Sequence, residues 1–268
     1  MELKESLLKL NDSAQQVPYD CHFHNAYEMI FVYEGTVEFK IGGSCYQAGP
    51  NTMLFISKLE EHNMRIVNGC YRRFTLLMSP SQLEQLIDDP KLRSVFISRP
   101  PGFRHAFDLS RYADRVKELL EEMRNEYESP DCYSKQALSE MLGLLMILCY
   151  RACKEQYPFA SKQYVQAVFD VQNYIDRHFT ENIRIKELAS RFFISVSYLA
   201  HSFREWTGSS PKEYIMRSRI AYAKELLINT DLSVAVIAGR CGFGDVSNFV
   251  RSFKKEVSQT PFGYRRKG

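Results

Sequence analysis

At 268 residues and 31.2 kDa the chain is long enough to hold two domains, each with its own core. Its 25% charged and 45% hydrophobic residues are ordinary for a globular protein and exclude a disordered or collagenous chain. The net charge of +3 hides a split: from residue 171 onward 16 Lys and Arg face 9 Asp and Glu, a net of +7, which leaves −4 on the rest. A basic tail on an acidic body points to an anionic polymer as partner of the tail, although charge alone fits a merely soluble basic surface equally well.

The first ten residues, MELKESLLKL, lack the apolar core and cleavage site of a signal peptide. The longest apolar run, residues 141–150, falls far short of the roughly 20 needed to cross a bilayer, so no membrane partner is expected. Seven cysteines show no CxxC pair, and Cys149 and Cys153 alone are too few ligands for a metal site. All seven read as reduced thiols of a cytoplasmic protein.

Residues 21–78 read as β structure. The runs 27–33, 36–41, 53–56 and 72–78 are short and rich in β-branched or aromatic residues, and Gly35, Gly42-Gly43, Gly49-Pro50 and Asn68-Gly69 punctuate them. That spacing predicts an all-β barrel or sandwich. Within it lies His22-x-His24-x3-Glu28-x6-Gly35, followed by His62. On one extended strand, positions 22, 24 and 28 share a face and converge.

The period changes from Ser110, which is the expected N-cap of a helix carrying Tyr112, Val116, Leu119, Leu120, Met123 and Tyr127 on one face. After Ser129-Pro130 a second helix runs to about Cys153. Its apolar positions Ala137, Leu138, Met141, Leu142, Leu145 and Leu148 are too many for one stripe, so it is buried on two sides. The second cover is either the same helix of another subunit or the rest of a single-chain hairpin. Tyr157-Pro158 to Ser161 is the expected linker, and helices follow from near Tyr164.

The last hundred residues repeat themselves at an offset of 50. Ser197, Ser202, Phe203, Arg204, Pro211 and Tyr214 match Ser247, Ser252, Phe253, Lys254, Pro261 and Tyr264, while Leu188-Ala189 matches Ile237-Ala238 at 49, with one residue inserted between. Each copy reads as helix, tight turn, helix. In the first, 185–193 is a short helix and Ser195 caps a second that buries Leu199, Phe203 and Trp206. In the second, Ser233 opens the first helix, Gly242 makes the turn and Asp245 caps the next. Ser210-Pro211-Lys212-Glu213 is a capping box with proline at the first helical position, and Thr260-Pro261 stands at the same place in the second copy. Between the copies, residues 219–227 predict one long helix. A rigid spacer of this kind suits two helices in successive major grooves, about 34 Å apart on one face of DNA.

With these residues in view the chain resembles the AraC/XylS family of transcription regulators. The resemblance is carried by Leu188-Ala189, Ser195, Tyr198-Leu199, Phe203, Gly208 and Pro211, and further on by Arg219-Ile220, Ala223, Leu226-Leu227, Ile237-Ala238, Gly242-Phe243, Asp245, Ser247, Phe249, Arg251 to Lys255, Thr260-Pro261 and Tyr264-Arg265. It covers about residues 171–266. Ser258 stands where glycine is usual, Asn248 where an aromatic is common, and Arg184 where a capping Ser or Thr is usual, so the first helix is expected to be weakly capped.

The resemblance implies base contacts from Ser197, Ala200 and His201 in the first head, and from Val246, Ser247, Val250 and Arg251 in the second. Arg251 can pair bidentately with guanine, whereas Ala200, Val246 and Val250 can only meet a thymine methyl or exclude something larger. Arg204, Lys212, Lys254 and Arg265 are assigned to the DNA backbone or to solvent. Phe203, Trp206, Phe249 and Phe253 are core.

The histidine spacing resembles the first metal-binding motif of cupin barrels, with Gly49, Asn51 and His62 as a degenerate second motif lacking its proline and late glycine. Three readings stand side by side. His22, His24, Glu28 and His62 are metal ligands of a cupin enzyme with an accessory DNA domain. They are effector-binding groups among the apolar walls Ile30, Val32, Phe39, Met64 and Phe74. Or they are satisfied core residues of a barrel that only dimerises a constitutive DNA binder.

The regulatory context favours the effector reading. The expected fold class is therefore α+β, with a cupin-like β-barrel and N-terminal arm over 1–109, a helical dimerisation segment over 110–156, and an all-α double helix-turn-helix over 164–268. The expected protein is not an enzyme, needs no cofactor, and forms a homodimer. Its partners are double-stranded DNA, RNA polymerase and a small-molecule effector, which the resemblance implies is a sugar or related metabolite, with activation the implied outcome.

Overall fold

The computed structural model describes residues 7–13, 21–100, 102–157 and 163–266, with backbone alone for 7–13 and 163–166. The chain divides into two compact units, Met1–Ala160 and Ser161–Gly268. The expected linker residues 158–161, and residues 1–6 and 14–20 of the expected arm, lie outside the described residues; Tyr157 belongs to the core of the first unit instead.

The first unit is built on a six-stranded antiparallel sheet: β1 (Leu7–Ser13), β2 (Tyr27–Ile41), β3 (Ser44–Ala48), β4 (Thr52–Ile56), β5 (His62–Met78) and β6 (Ala106–Asp108). The strand order is β1-β5-β2-β4-β6, with β3 paired to the far end of β2. The two runs expected over 27–33 and 36–41 are one strand. Register slips between Val32 and Val37, and Gly35 sits there at φ +83° with its Cα turned so that a Cβ would lie 2.6 Å from the Cys70 carbonyl oxygen. A bulge at a glycine lets a long strand bend and the sheet curl into a half-barrel instead of lying flat.

Alternation along β2 sorts the residues to two faces. Tyr27, Met29 and Phe31 join a core closed by helices, while Ile30, Val32, Val37, Phe39 and Ile41 line the concave face with Leu54, Ile56 and Met64. The helix-covered side is closed by α1 (Pro80–Leu86), α2 (Pro90–Ile97), α3 (Ala113–Glu128) and α4 (Ser134–Ala152). Helices α1 and α2 are each set by local chemistry. Ser79 and Gln82 form a capping box before Pro80, and the Asp89 carboxylate accepts from the Lys91 and Leu92 amides before Pro90.

Ser110 is not a helix cap. It begins a 3-10 turn, Ser110–Tyr112, after Leu109, and donates both its amide and its hydroxyl to the carboxylate of Asp108, two residues earlier. Helix α4 packs on α3, α1 and α2, burying Leu138, Leu142, Leu145, Met146, Leu148 and Cys149. Much of its wide apolar surface is thus covered within the chain, while Ile147 stays exposed and Ala137, Met141 and Leu144 are half-buried.

The second unit is helical: α5 (Gln163–His178), α6 (Ile185–Arg191), α7 (Val196–Thr207), α8 (Pro211–Asn229), α9 (Val234–Arg240), α10 (Val246–Val257) and α11 (Pro261–Arg265). The 19-residue α8 begins at the Ser210 capping box, eight residues before the start of the expected spacer at 219, and packs against α7, α9, α10 and α11. Both heads are thus mounted on one continuous helix.

Candidate DNA-reading heads and effector site

The repeat is visible bond by bond. In the first copy the Phe192 amide donates to Leu188 O and the Ile194 amide to Ala189 O; in the second, Cys241 donates to Ile237 O and Phe243 to Ala238 O. Ser195 and Asp245 accept from the Tyr198 and Asn248 amides at the start of α7 and α10. Both 12-residue helices end in a left-handed residue, Gly208 and Ser258, whose amide returns to Arg204 O and Lys254 O. Ser210 and Thr260 then cap the next helix. The inserted residue is Gly244, an exposed position between the turn at Gly242 and the cap at Asp245.

Arg184 opens α6 without a side-chain cap, while Ser233 caps α9 through the Val236 amide. Two further anchors hold the unit. Arg219 donates to the carbonyls of Phe179 and Glu181, both at 2.7 Å, and Tyr214 is held between Gln172 and Asp176.

The core faces of α7 and α10 bury Leu199, Ser202 and Phe203, and Phe249 and Phe253. Trp206 is only half-buried. On the opposite faces Ser197, Ala200, His201, Arg204, Val246, Ser247, Arg251 and Lys254 are exposed, and Val250 is half-buried. The two heads differ in charge. Arg204 pairs with Glu213 at 3.0 Å and His201 lies 3.8 Å from Glu205, whereas Arg251 and Lys254 make no ion pair among the described residues. The position matching Glu213 is Gly263, so the second head lacks the neutralising carboxylate. Arg265 is turned inward onto the carbonyls of Leu227 and Leu232, a helix-end clamp and not a group free for DNA.

In the first unit, His22, His24, Glu28 and His62 do come together, but not along one strand. His22 forms an isolated bridge with His62, exchanging backbone hydrogen bonds of 3.0 and 2.9 Å, His24 lies in the following loop, and Glu28 is on β2. Glu28 Oε2 is 3.1 Å from His24 Nε2 and 3.3 Å from His62 Nε2. Burial alone would raise the Glu28 pKa, but the two imidazoles outweigh it and hold the carboxyl well below the usual range. Burial likewise opposes a charge on His62, yet the Glu28 carboxylate overrides it and the imidazole is raised.

Glu28 alternates with Met29 and so shares the concave face with Ile30 and Val32. Of the five expected walls, Ile30, Val32, Phe39 and Met64 lie there. Phe74 does not: it packs in the helix-covered core, because its neighbours Arg73 and Thr75 take the concave side of β5.

A second buried polar network adjoins the first. The Glu60 carboxylate accepts from the Ser57 amide, from Arg99 and from His105, whose other ring nitrogen meets the Tyr46 hydroxyl. Burial would raise Glu60, but Arg99 and His105 hold it far below its ordinary value; His105 is lowered, with burial the main cause. Nothing in the spacing of Tyr46, Glu60, Arg99 and His105 signals this network, since strand and helix ends up to 59 residues apart must meet to form it.

Residues 9–142 match the family described as the AraC-like ligand binding domain, and residues 188–267 match a helix-turn-helix domain family. The HTH-type transcriptional activator RhaS of Klebsiella pneumoniae (strain 342) is 24% identical over 267 residues, which cover 97% of this chain and 92% of that protein. The HTH-type transcriptional regulator YdiP of Escherichia coli (strain K12) is 28% identical over 255 residues, covering 91% and 80%. Unsaturated fatty acid bound ToxT from Vibrio cholerae strain SCE256 shares the fold, with a TM-score of 0.64 at 14% identity over 97% of this chain and 94% of that one. No helix among the described residues is long and apolar enough to cross a membrane. With a ligand-binding family spanning half its length and two matched reading heads behind it, the chain belongs to the AraC family of DNA-binding transcription regulators.

Proposed function

We propose that the chain is a cytoplasmic transcription activator, working as a homodimer with RNA polymerase, whose hold on DNA is set by a small polar effector on the concave face of the first unit. In DNA, Ser197, Ala200 and His201 read one half of the site and Val246, Ser247, Val250 and Arg251 the other, with Arg204 and Lys254 on phosphates. The observation that carries this reading is the pairing of two bond-for-bond matched heads, each with an exposed outer face, with a separate unit whose concave sheet is apolar and polar-edged.

The unequal charge of the heads assigns most of the phosphate affinity to the second, because Arg204 must leave Glu213 before it can serve a phosphate. The effector class follows from the concave face. His22, His24, Glu28 and His62 offer directional bonds, and the Thr75 hydroxyl on the same face is buried without a hydrogen-bond partner among the described residues. An apolar wall with several polar groups suits a sugar or similar metabolite, with a flat carbon face and hydroxyl rim, better than an acyl chain. Dimerisation is assigned to the α3–α4 pair, where Ile147 is exposed and Met141 and Leu144 are half-buried.

The test is thermal unfolding of the full chain, after chelator treatment, against a panel of sugars and metabolites, followed by footprints on DNA with each positive compound. A compound that raises the midpoint and alters the footprint supports the reading, since a ligand specific to the folded state stabilises it by mass action and a changed footprint couples the two sites. Footprints identical under every compound would overturn the effector assignment while leaving DNA binding intact.

A further inference from the structure

The turn between α6 and α7 is built on an unfavourable residue. Phe193 takes a left-handed backbone at φ +56°, its amide donating to Ser190 O while the Ile194 amide donates to Ala189 O. That conformation disfavours any residue with a Cβ, and a bulky one most. Burial does not compensate, because the Phe193 ring is 96% exposed. The matching residue of the second head is Gly242, at φ +80°, where a Cβ would meet the Thr180 carbonyl oxygen at 2.2 Å. The second turn is thus packed against the chain that follows α5, whereas the first opens to solvent. A ring that costs backbone strain and gains no packing among the described residues points to a partner outside the chain.

Position and charge decide what that partner is. Two residues after Phe193, Ser195 caps α7, and Val196 begins the helix with 45% of its surface exposed. Val246 begins α10 in the same way, at 40%. Helix-turn-helix proteins contact base edges with the N-terminal residues of the second helix, so Phe193 and Val196 stand at the entry edge of the first head. No acidic residue lies between Glu187 and Glu205, while Arg191 and Arg204 are exposed there. Such a stretch suits a phosphate-lined surface. The polar groups of this head are engaged elsewhere, Arg204 with Glu213 at 3.0 Å and His201 at 3.8 Å from Glu205. Apolar side chains supply a contact of another kind, since they recognise the 5-methyl group of thymine.

We propose that Phe193 and Val196 are DNA-contact residues of the first head, packing on thymine methyl groups and deoxyribose carbons at one edge of the major groove. The contact rests on the reading above that the outer face of α7 enters DNA. It makes the two heads different in kind: the second holds DNA by charge, and the first by apolar fit.

The experiment uses the full chain and a duplex that it selects from random DNA, titrated over a range of salt. Phe193→Gly should raise the unfolding midpoint, because it relieves the left-handed strain. The same variant should weaken DNA binding at least about fourfold with an unchanged salt slope. Val196→Ser should weaken binding to a similar degree. Deoxyuridine in place of thymidine, in the block that these variants weaken, should cost the parent about fourfold for each methyl in contact. It should cost the Phe193→Gly/Val196→Ser double variant nothing further.

Parental affinity in both single variants would overturn the contact, and is the result expected if the ring instead meets another protein. A lowered midpoint in Phe193→Gly would make the ring a folding element, and a flattened salt slope would make the turn a carrier of a cation; either overturns it too. So would a first-head block without thymine, or a deoxyuridine penalty that persists in the double variant. Ala200→Glu, which sets a carboxylate on the outer face of α7, separates the contact from the reading beneath it. If Ala200→Glu abolishes binding while Phe193→Gly and Val196→Ser bind as the parent does, the apolar contact alone falls. If Ala200→Glu also binds as the parent does, α7 does not enter DNA and both fall.

Discussion

Ser258 ends α10 at φ +60°, where the first copy has Gly208 at φ +75°. A left-handed backbone costs a residue with a Cβ about 1–2 kcal/mol, and the glycine that would relieve it gives back about 0.5–1 kcal/mol of unfolded-state entropy. Ser258→Gly should therefore stabilise the second unit by up to about 1 kcal/mol in denaturant unfolding. Gly242→Ala should do the opposite and cost more than about 1 kcal/mol, since at φ +80° its Cβ would sit 2.2 Å from the Thr180 carbonyl oxygen. Arg251→Ala should relax preference at one base, by roughly 1–3 kcal/mol of discrimination. Lys254→Ala should weaken all sequences alike and flatten the salt dependence by about one unit. A uniform loss from Arg251→Ala would mark it as a phosphate contact. At this scale the sequence was readable wherever the chemistry was local: Ser195, Ser210, Ser233, Asp245 and Thr260 all cap the helices that they precede. Ser110 misled because Asp108, two residues back, takes its hydroxyl.

The capping box at the head of α8 carries a pH signature. Bonds from the Ser210 hydroxyl and amide, with Arg204 nearby, lower the Glu213 pKa from 4.5 to about 2. A carboxyl lowered in the folded state adds stability that is complete above its unfolded value and vanishes as pH falls through the folded one. Stability of the second unit should therefore decline between about pH 4.5 and 2, and Glu213→Gln should remove part of that slope; an unchanged slope would show the box to be unformed in solution. Helices α1 and α2 show how much element-level signal goes unread. Ser79-Pro80-Ser81-Gln82 has the same form as Ser210-Pro211-Lys212-Glu213, and Asp89-Pro90 is a cap followed by proline, yet neither lies beside an apolar stripe long enough to attract notice. The histidine cluster was readable as residue types but not as geometry. His22 meets His62 through a bridge between segments 40 residues apart, and no spacing rule contains that pairing.

For the whole molecule, the two compact units agree with the charge split seen in the sequence: the basic surplus lies in the helical unit that carries both heads. Thiol reactivity gives a global test of how the units are packed. Cys21, Cys45, Cys70 and Cys132 are exposed, while Cys149, Cys153 and Cys241 are buried, and burial pushes the Cys241 thiol up to about 12. Native protein should label quickly at the four exposed positions and at the other three only on unfolding; fast labelling of Cys241 would mean the second head is open in solution. The central claim, two reading heads at a fixed spacing, is tested most directly by selection from random duplex DNA with the full chain. The account predicts two short enriched blocks whose centres lie about 10–10.5 base pairs apart, with Arg251→Ala flattening one block and sparing the other. A single enriched block, or a variant that erodes both blocks equally, would contradict it.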